Sequence, residues 1–302
     1  VDRGGEFTLI DPEWERDAFG TLSLSPDDKR LAVSISSRGF QQIWVKDLPD
    51  GPLTRLTTDE GRSWRPVWSP DMSTIAYTTN EGGIPHARTI QSDGRTGGEY
   101  EVLLQKEDFV HEVVYTSNGA GLVFRQGNAF IGEGDLGYLN LKENMADQAL
   151  LSTEFNERAV ALSADGRWLA YTSDQTGRDE VFVRPFPSVD SGSWQVSTRG
   201  GTEPRWAHAG GELFFRDGEG WMTVATYTAD SAFVLSGLTR LFDASQFLSE
   251  PSYHSYEVAL DDQRFVMLRR APGEEDAPDA SPRLIMIQNW FTELEHLLGE
   301  GG

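Results

Sequence analysis

Charged side chains that could act as acids, bases or ion-pairing groups recur at one position of a repeated pattern. Aligned at an interval of about 45 residues, Thr21, Arg65, Glu112, Ala159, Glu203 and Ser255 form one column. One residue earlier the column reads Gly20, Trp64, His111, Arg158, Thr202 and His254; two residues later it reads Ser23, Val67, Val114, Ala161, Arg205 and Glu257. Trp64, Arg65, His111, Glu112, Arg158, Glu203, Arg205, His254 and Glu257 are therefore the candidate ligand-binding residues. Mixed charge of this kind suits a peptide end or a small anionic solute, yet the same residues can neutralise one another. Arg65 with Glu112, and Arg205 with Glu257, are the expected ion pairs, because buried arginines and carboxylates pair whether or not they bind anything.

Other chemistries find less to work with. The five histidines, His86, His111, His208, His254 and His296, show no metal-ligand spacing, and His111 and His254 belong to repeats expected on opposite sides of the molecule. No metal and no cofactor is expected, Asp135 after Gly134 being at most a lone cation ligand. Without cysteine there is no disulfide, thiolate zinc site or thiol nucleophile. Gly-x-Ser-x-Gly does not occur, and the acidic pairs Asp27-Asp28 and Asp261-Asp262 lie in turns, where capping accounts for them. With 26 Lys and Arg against 48 Asp and Glu, the net charge of -22 opposes nucleic acid and anionic lipid. No stretch approaches the ~18 apolar residues that would cross a bilayer, so direct membrane insertion is not expected. Val1 is not an initiator methionine, and the sequence reads as a trimmed chain or mature fragment.

What must position the columns is a turn. Leu24-Ser25-Pro26-Asp27-Asp28 recurs as Trp68-Ser69-Pro70-Asp71-Met72, as Leu162-Ser163-Ala164-Asp165-Gly166 and, more weakly, as Tyr115-Thr116-Ser117-Asn118-Gly119. Proline fixes φ, and the Asp side chain bonds amides further along, so each turn closes a hairpin. Around it the apolar alternation and β-branched residues read as four short strands per repeat. The fourth repeat is the most regular, with Val160-Ala161-Leu162, Trp168 to Tyr171, Glu180 to Val183 and Trp194-Gln195-Val196.

These repeats predict one all-β domain over residues 1–302, a six-bladed β-propeller of four-stranded antiparallel blades. The expected blades span 19–57, 63–105, 110–152, 157–198, 201–243 and 254–288. The sixth supplies three strands, and Glu6-Phe7-Thr8-Leu9-Ile10 (6–10) is expected to complete it in a 3+1 closure that removes exposed sheet edges. The acidic, proline-rich stretch 271–282 predicts a mobile loop. A short C-terminal helix over 290–298 would follow, capped by Asn289 and carrying Trp290, Phe291, Leu294, Leu297 and Leu298 on one face. Trp44, Trp68, Trp168 and Trp206 occupy strand positions expected to pack between blades.

The Ser-Pro-Asp turns followed by Arg-Leu-Ala or Trp-Leu-Ala-Tyr strands resemble TolB-type propeller repeats across residues 1–298. Asp165 to Tyr171, Glu180-Val181-Phe182-Val183-Arg184-Pro185-Phe186-Pro187, Trp194 to Ser197, Gly200 to Trp206 and Asn289-Trp290-Phe291 resemble the C-terminal propeller of bacterial membrane-anchored serine/threonine kinases. That resemblance implies a sensor or interaction module outside the cytoplasm. No kinase motif is present in these residues. The expected function is non-enzymatic binding of a protein, peptide or small solute at the propeller funnel. The alternatives are a hydrolase or lyase acting on a saccharide or peptide in the same funnel, and a purely structural module.

Overall fold

The structure, a computed structural model, describes residues 1–10, 18–37, 39–58, 61–95, 98–127, 134–142, 146–229 and 232–269. The chain divides into two compact units, Val1–Arg269 and Arg270–Gly302, and every described residue belongs to the first.

Local structure follows from the repeated turn. In the first, Ser25 Oγ donates to Asp27 Oδ1 (2.7 Å) and accepts from Arg30 N (2.9 Å), while Asp28 N donates to Ser25 O (2.9 Å). The equivalent backbone bond recurs from Met72, Gly119, Gly166, Gly210 and Asp262. All six of these residues have positive φ, with Asp28 at 59°, Met72 at 61° and Asp262 at 56° where the other three turns have glycine. The loop therefore imposes the same left-handed step on every hairpin, whichever residue fills it.

Each hairpin grows into a blade. Blade 1 is β1 (Ala18–Leu24), β2 (Arg30–Ser37), β3 (Phe40–Asp47) and β4 (Leu53–Arg55); blade 2 is β5 (Ser63–Trp68), β6 (Thr74–Thr79), β7 (His86–Gln91) and β8 (Tyr100–Leu104). Blade 3 comprises β9 (Phe109–Tyr115), β10 (Gly121–Gly127), β11 (Asp135–Asn140) and β12 (Asp147–Leu151). Blade 4 comprises β13 (Arg158–Leu162), β14 (Trp168–Ser173), β15 (Glu180–Pro185) and β16 (Trp194–Gln195), and blade 5 comprises β17 (Gly201–Trp206), β18 (Glu212–Asp217), β19 (Trp221–Thr228) and β20 (Val234–Asp243). All five are antiparallel sheets in chain order. Beyond them, β21 (Tyr256–Val258) and β22 (Phe265–Met267) form a two-stranded hairpin.

The six-bladed expectation is thus corrected to five four-stranded blades, with only a hairpin after them among the described residues. The expected third strand of a sixth blade at 284–287, the acidic stretch 271–282 and the helix at 290–298 lie outside those residues. Nor do residues 6–10 form the closing strand. The N-terminus meets the hairpin earlier: Val1 N donates to Phe265 O (2.9 Å), Phe265 N donates to Val1 O (2.7 Å), and Asp2 bridges Arg264. The pairing stops there because Asp2 Oδ1 accepts Gly4 N and Glu6 N, and Gly5 turns the chain at φ 87°. Arg3 instead reaches across, donating to Glu212 of blade 5 and to Asp262 O of the hairpin (2.8 Å from Nη2).

The inner strands β1, β5, β9, β13, β17 and β21 touch one another in that order, and β21 touches β1. A ring closed in this way must be apolar at each seam, and six buried clusters answer to its six seams. Trp68 and Trp206, both buried, each donate Nε1 to an inner-strand carbonyl of the preceding blade, Ser23 O (3.0 Å) and Ala161 O (3.1 Å). Trp168 is buried in the blade 4–5 seam, and partly buried Trp44 packs where blade 1 meets the hairpin. At the blade 4–5 seam Trp168, Trp194, Trp206, Tyr227 and Phe233 form one aromatic cluster.

Candidate functional site

The residue column aligned by the turns falls at or beside a bulge in the inner strand of each of the five blades. Register shifts interrupt β1–β2 between Phe19 and Leu22, β5–β6 between Trp64 and Val67, β13–β14 between Arg158 and Ala161, and β17–β18 between Thr202 and Arg205. Arg65 (φ 53°), Ala159 (φ 49°) and Glu203 (φ 57°) adopt left-handed backbone there although none is glycine. A bulge takes an amide out of its ladder, and a buried amide needs another acceptor.

That acceptor comes from the preceding blade. Thr21 Oγ1 accepts Arg65 N (2.7 Å), the Glu112 carboxylate accepts the amides of Ala159 and Val160, and Glu203 Oε2 accepts Ser255 N (2.7 Å). The column is first of all a set of stitches from one unit to the next.

On the side of blade 5 and the hairpin Arg205 and Arg216 each face a carboxylate, although Arg205 Nε and Arg216 Nε have no hydrogen-bond partner. Buried Glu203 also accepts from Ser249 Oγ (2.7 Å) and Ser255 Oγ and lies 3.4 Å from Arg216 Nε. Burial pushes its carboxyl up, and Arg216 and the serines pull it back. Tyr256 donates its hydroxyl to Glu203 O (2.8 Å). His254 Nε2 donates to Pro204 O (2.7 Å), and burial drives its imidazole well below the ordinary value, leaving it neutral. Arg205 and Glu257 form the expected ion pair at 2.7 Å.

On the side of blades 2 to 4 the pairing is incomplete. Arg65 donates to His111 O and lies over the Tyr253 ring at 4.6 Å, but no ion pair joins it to Glu112 among the described residues. The buried Nε atoms of Arg65, Arg125 and Arg158, with Glu112 Oε1 and Glu157 Oε2, have no hydrogen-bond partner. Arg158 pairs with Asp179. His111 Nε2 donates to Gly127 O (3.1 Å), and burial, with Arg125 and Arg65 nearby, lowers its imidazole to about 4. Burial pushes Glu157 up to about 7, with Asp135 and Asp174 adding repulsion. Trp64 is half-buried and lends its carbonyl to Thr78 Oγ1 (3.1 Å).

The aligned columns therefore bring Arg65, His111, Glu112 and Arg158 into one neighbourhood and Glu203, Arg205, His254 and Glu257 into another. Arg125 and Glu157 were not among the candidates. Arg125 lies on the second strand directly opposite Glu112, and Glu157 precedes Arg158, so a cross-strand reading of the same repeat would have found the first. Among the described residues no three metal-ligating side chains gather at a point. Hollows of about 220 Å³ beside Arg199 and Arg240, and about 550 Å³ beside Tyr100 and Glu101, involve outer strands away from these residues.

Five chain-ordered antiparallel sheets set around a ring of inner strands define a β-propeller. Residues 17–182 match the TolB beta propeller domain, and the chain belongs to that family. Among solved structures it is similar to TolB from Acinetobacter baumannii, with 18% identity and a TM-score of 0.57 over 73% of this chain and 55% of that one. It is also similar to a putative TolB from Agrobacterium tumefaciens (19% identity, TM-score 0.58, covering 75% and 81%). A structure from a study of two prolyl endopeptidases matches at 15% identity and TM-score 0.55, covering 86% of this chain and 43% of that one. At these identities the likeness is one of fold. The chain spans little more than half the length of the Acinetobacter protein.

Proposed function

We propose that the chain is a non-enzymatic binding module that engages a protein or peptide partner at the bulged ends of its inner strands, on the side of blades 2 to 4. The observation that carries this reading is the asymmetry of the two sides. Around Glu203 and Glu257 each arginine faces a carboxylate, although Arg205 Nε and Arg216 Nε have no hydrogen-bond partner, whereas Arg65 and Arg125 face no carboxylate at ion-pair distance among the described residues and Glu112 Oε1 and Glu157 Oε2 are unbonded. Buried polar groups left in that state are costly, and a bound partner is one way to fill them. A position outside the cytoplasm accords with the family; no helix among the described residues is long and apolar enough to cross a membrane.

The hydrolase reading has one point in its favour, the Glu157 carboxyl held near neutrality. Burial counts against it: Glu157 is 1% and Glu112 5% exposed, so neither presents its carboxylate to a substrate in solution. Hydrogen exchange of the chain with and without peptides selected from a defined synthetic array tests the binding reading. Protection is expected in β9, β10 and β13. Protection confined to the outer strands would overturn it.

A further inference from the structure

Arg125, like Arg65, has no ion pair among the described residues, and it is the more deeply buried from solvent of the two. It is 5% exposed, yet its guanidinium donates to a neutral oxygen, Asn156 Oδ1 at 3.2 Å, and its Nε has no acceptor. No carboxylate lies within ion-pair distance of it among the described residues. A buried arginine ordinarily faces a carboxylate, because water has been stripped from the cation and only an anion restores the loss. Arg216, the comparable buried arginine of blade 5, follows that rule with Glu203.

None of the acids near Arg125 reaches it. Glu112, its cross-strand neighbour, accepts the amides of Ala159 and Val160. Glu157 accepts Thr153 Oγ1 at 2.6 Å and is held near neutrality, and Asp179 is taken by Arg158. Burial brings the Arg125 pKa down to about 10, with Glu112 and Glu157 attracting its charge and Arg65 and Arg158 repelling it. Gly134 packs its backbone against one edge of the guanidinium, where a Cβ would stand 2.6 Å from Nε and 2.7 Å from Asn156 Oδ1, so only glycine permits the approach.

We propose that the binding face on the side of blades 2 to 4 takes a carboxylate from its partner, an acidic side chain or a free chain terminus, and that Arg125 receives it between Arg65 and Arg158. The inference rests on the binding-module reading and names the chemistry of its ligand. A planar carboxylate matches the guanidinium fork and carries the single charge the cluster lacks. A doubly charged phosphate would press its second charge against Glu112.

The test is titration of the chain at low salt with three fluorescent alanine peptides. One is blocked at both ends and carries a central glutamate, its counterpart carries glutamine, and the third has a free C-terminal carboxylate. Binding of the glutamate or the free-terminus peptide about tenfold or more tighter than the glutamine peptide is expected, and whichever wins identifies the source of the carboxylate. Arg125→Gln should erase the preference. If that variant does not fold, Arg158→Gln should still reduce it several-fold, because its side chain is more exposed and its loss removes a flanking cation. Equal binding of the glutamate and glutamine peptides would overturn the carboxylate while leaving the module intact. Failure of all three peptides to bind would overturn both. Displacement by inorganic phosphate in preference to either carboxylate peptide would also sink the assignment.

Discussion

Glu203 and Glu112 occupy the same column, are both buried, and both accept backbone amides of the next unit, but they live in different company. Glu203 collects two serine hydroxyls, a backbone amide and Arg216. Glu112 meets two amides and sits opposite Arg125, which it does not contact as an ion pair. The difference lies in what each neighbouring repeat supplies. The segment around Ser249 and Ser255 brings donors to Glu203, while Ala159, the next column member after Glu112, brings only its backbone. A repeat can thus keep one structural task everywhere and leave charge unspent at one place.

The largest test of this contrast is neutralisation of each acid. Glu203→Gln should cost about 3 kcal/mol or more in urea unfolding, because Arg216 is then a buried cation without its anion. Glu112→Gln should cost less than about 1 kcal/mol, since burial already disfavours its charge and one of its oxygens is unbonded. Equal costs would break the comparison.

Next in size is the pH dependence carried by Glu157. Its folded pKa, near 7, lies above the ordinary carboxyl value, so between the two the folded chain binds more protons than the unfolded one. Its contribution is fully present below about pH 4 and is lost as pH rises through 7, on the order of 2 kcal/mol in all. Glu157→Gln should flatten that limb of the stability–pH curve, and an unchanged limb would place the titration elsewhere.

The smallest effect is at the bulges themselves. Ala159→Gly should raise stability by about 0.5 kcal/mol, because a left-handed alanine is strained and its side chain makes no stitch. The same replacement at Glu203 should be strongly destabilising despite a similar φ. Thermal melts of the two variants separate backbone strain from side-chain bonding.

Much of this was legible in the residues. The Ser-Pro-Asp turns fixed the hairpins because Ser25, Asp27 and their equivalents bond only within the loop, and local chemistry survives any context. Trp68, Trp168 and Trp206 fell in strands that pack between blades for the same periodic reason. The ion pair of Arg205 with Glu257 was legible from the column, whereas Arg65 lies against Tyr253 and a carbonyl instead of pairing with Glu112. Bulging redirects a side chain, and nothing in spacing announces it. The closure was misplaced because Glu6 to Ile10 alternates like a strand, but Asp2 and Gly5 turn the backbone before it can pair. Arg125 escaped notice because its importance depends on which acids its neighbours have already claimed.

The stitches have a direction. Thr21 serves Arg65, Glu112 serves Ala159 and Glu203 serves Ser255, each side chain reaching forward to the following unit. Units linked in that manner are not interchangeable beads. At these three junctions an inserted or deleted repeat must match the side chain behind it, or it leaves a buried amide with nothing to bond. The lineage of such a ring is therefore freer to change the chemistry displayed at one unit than to change how many units there are.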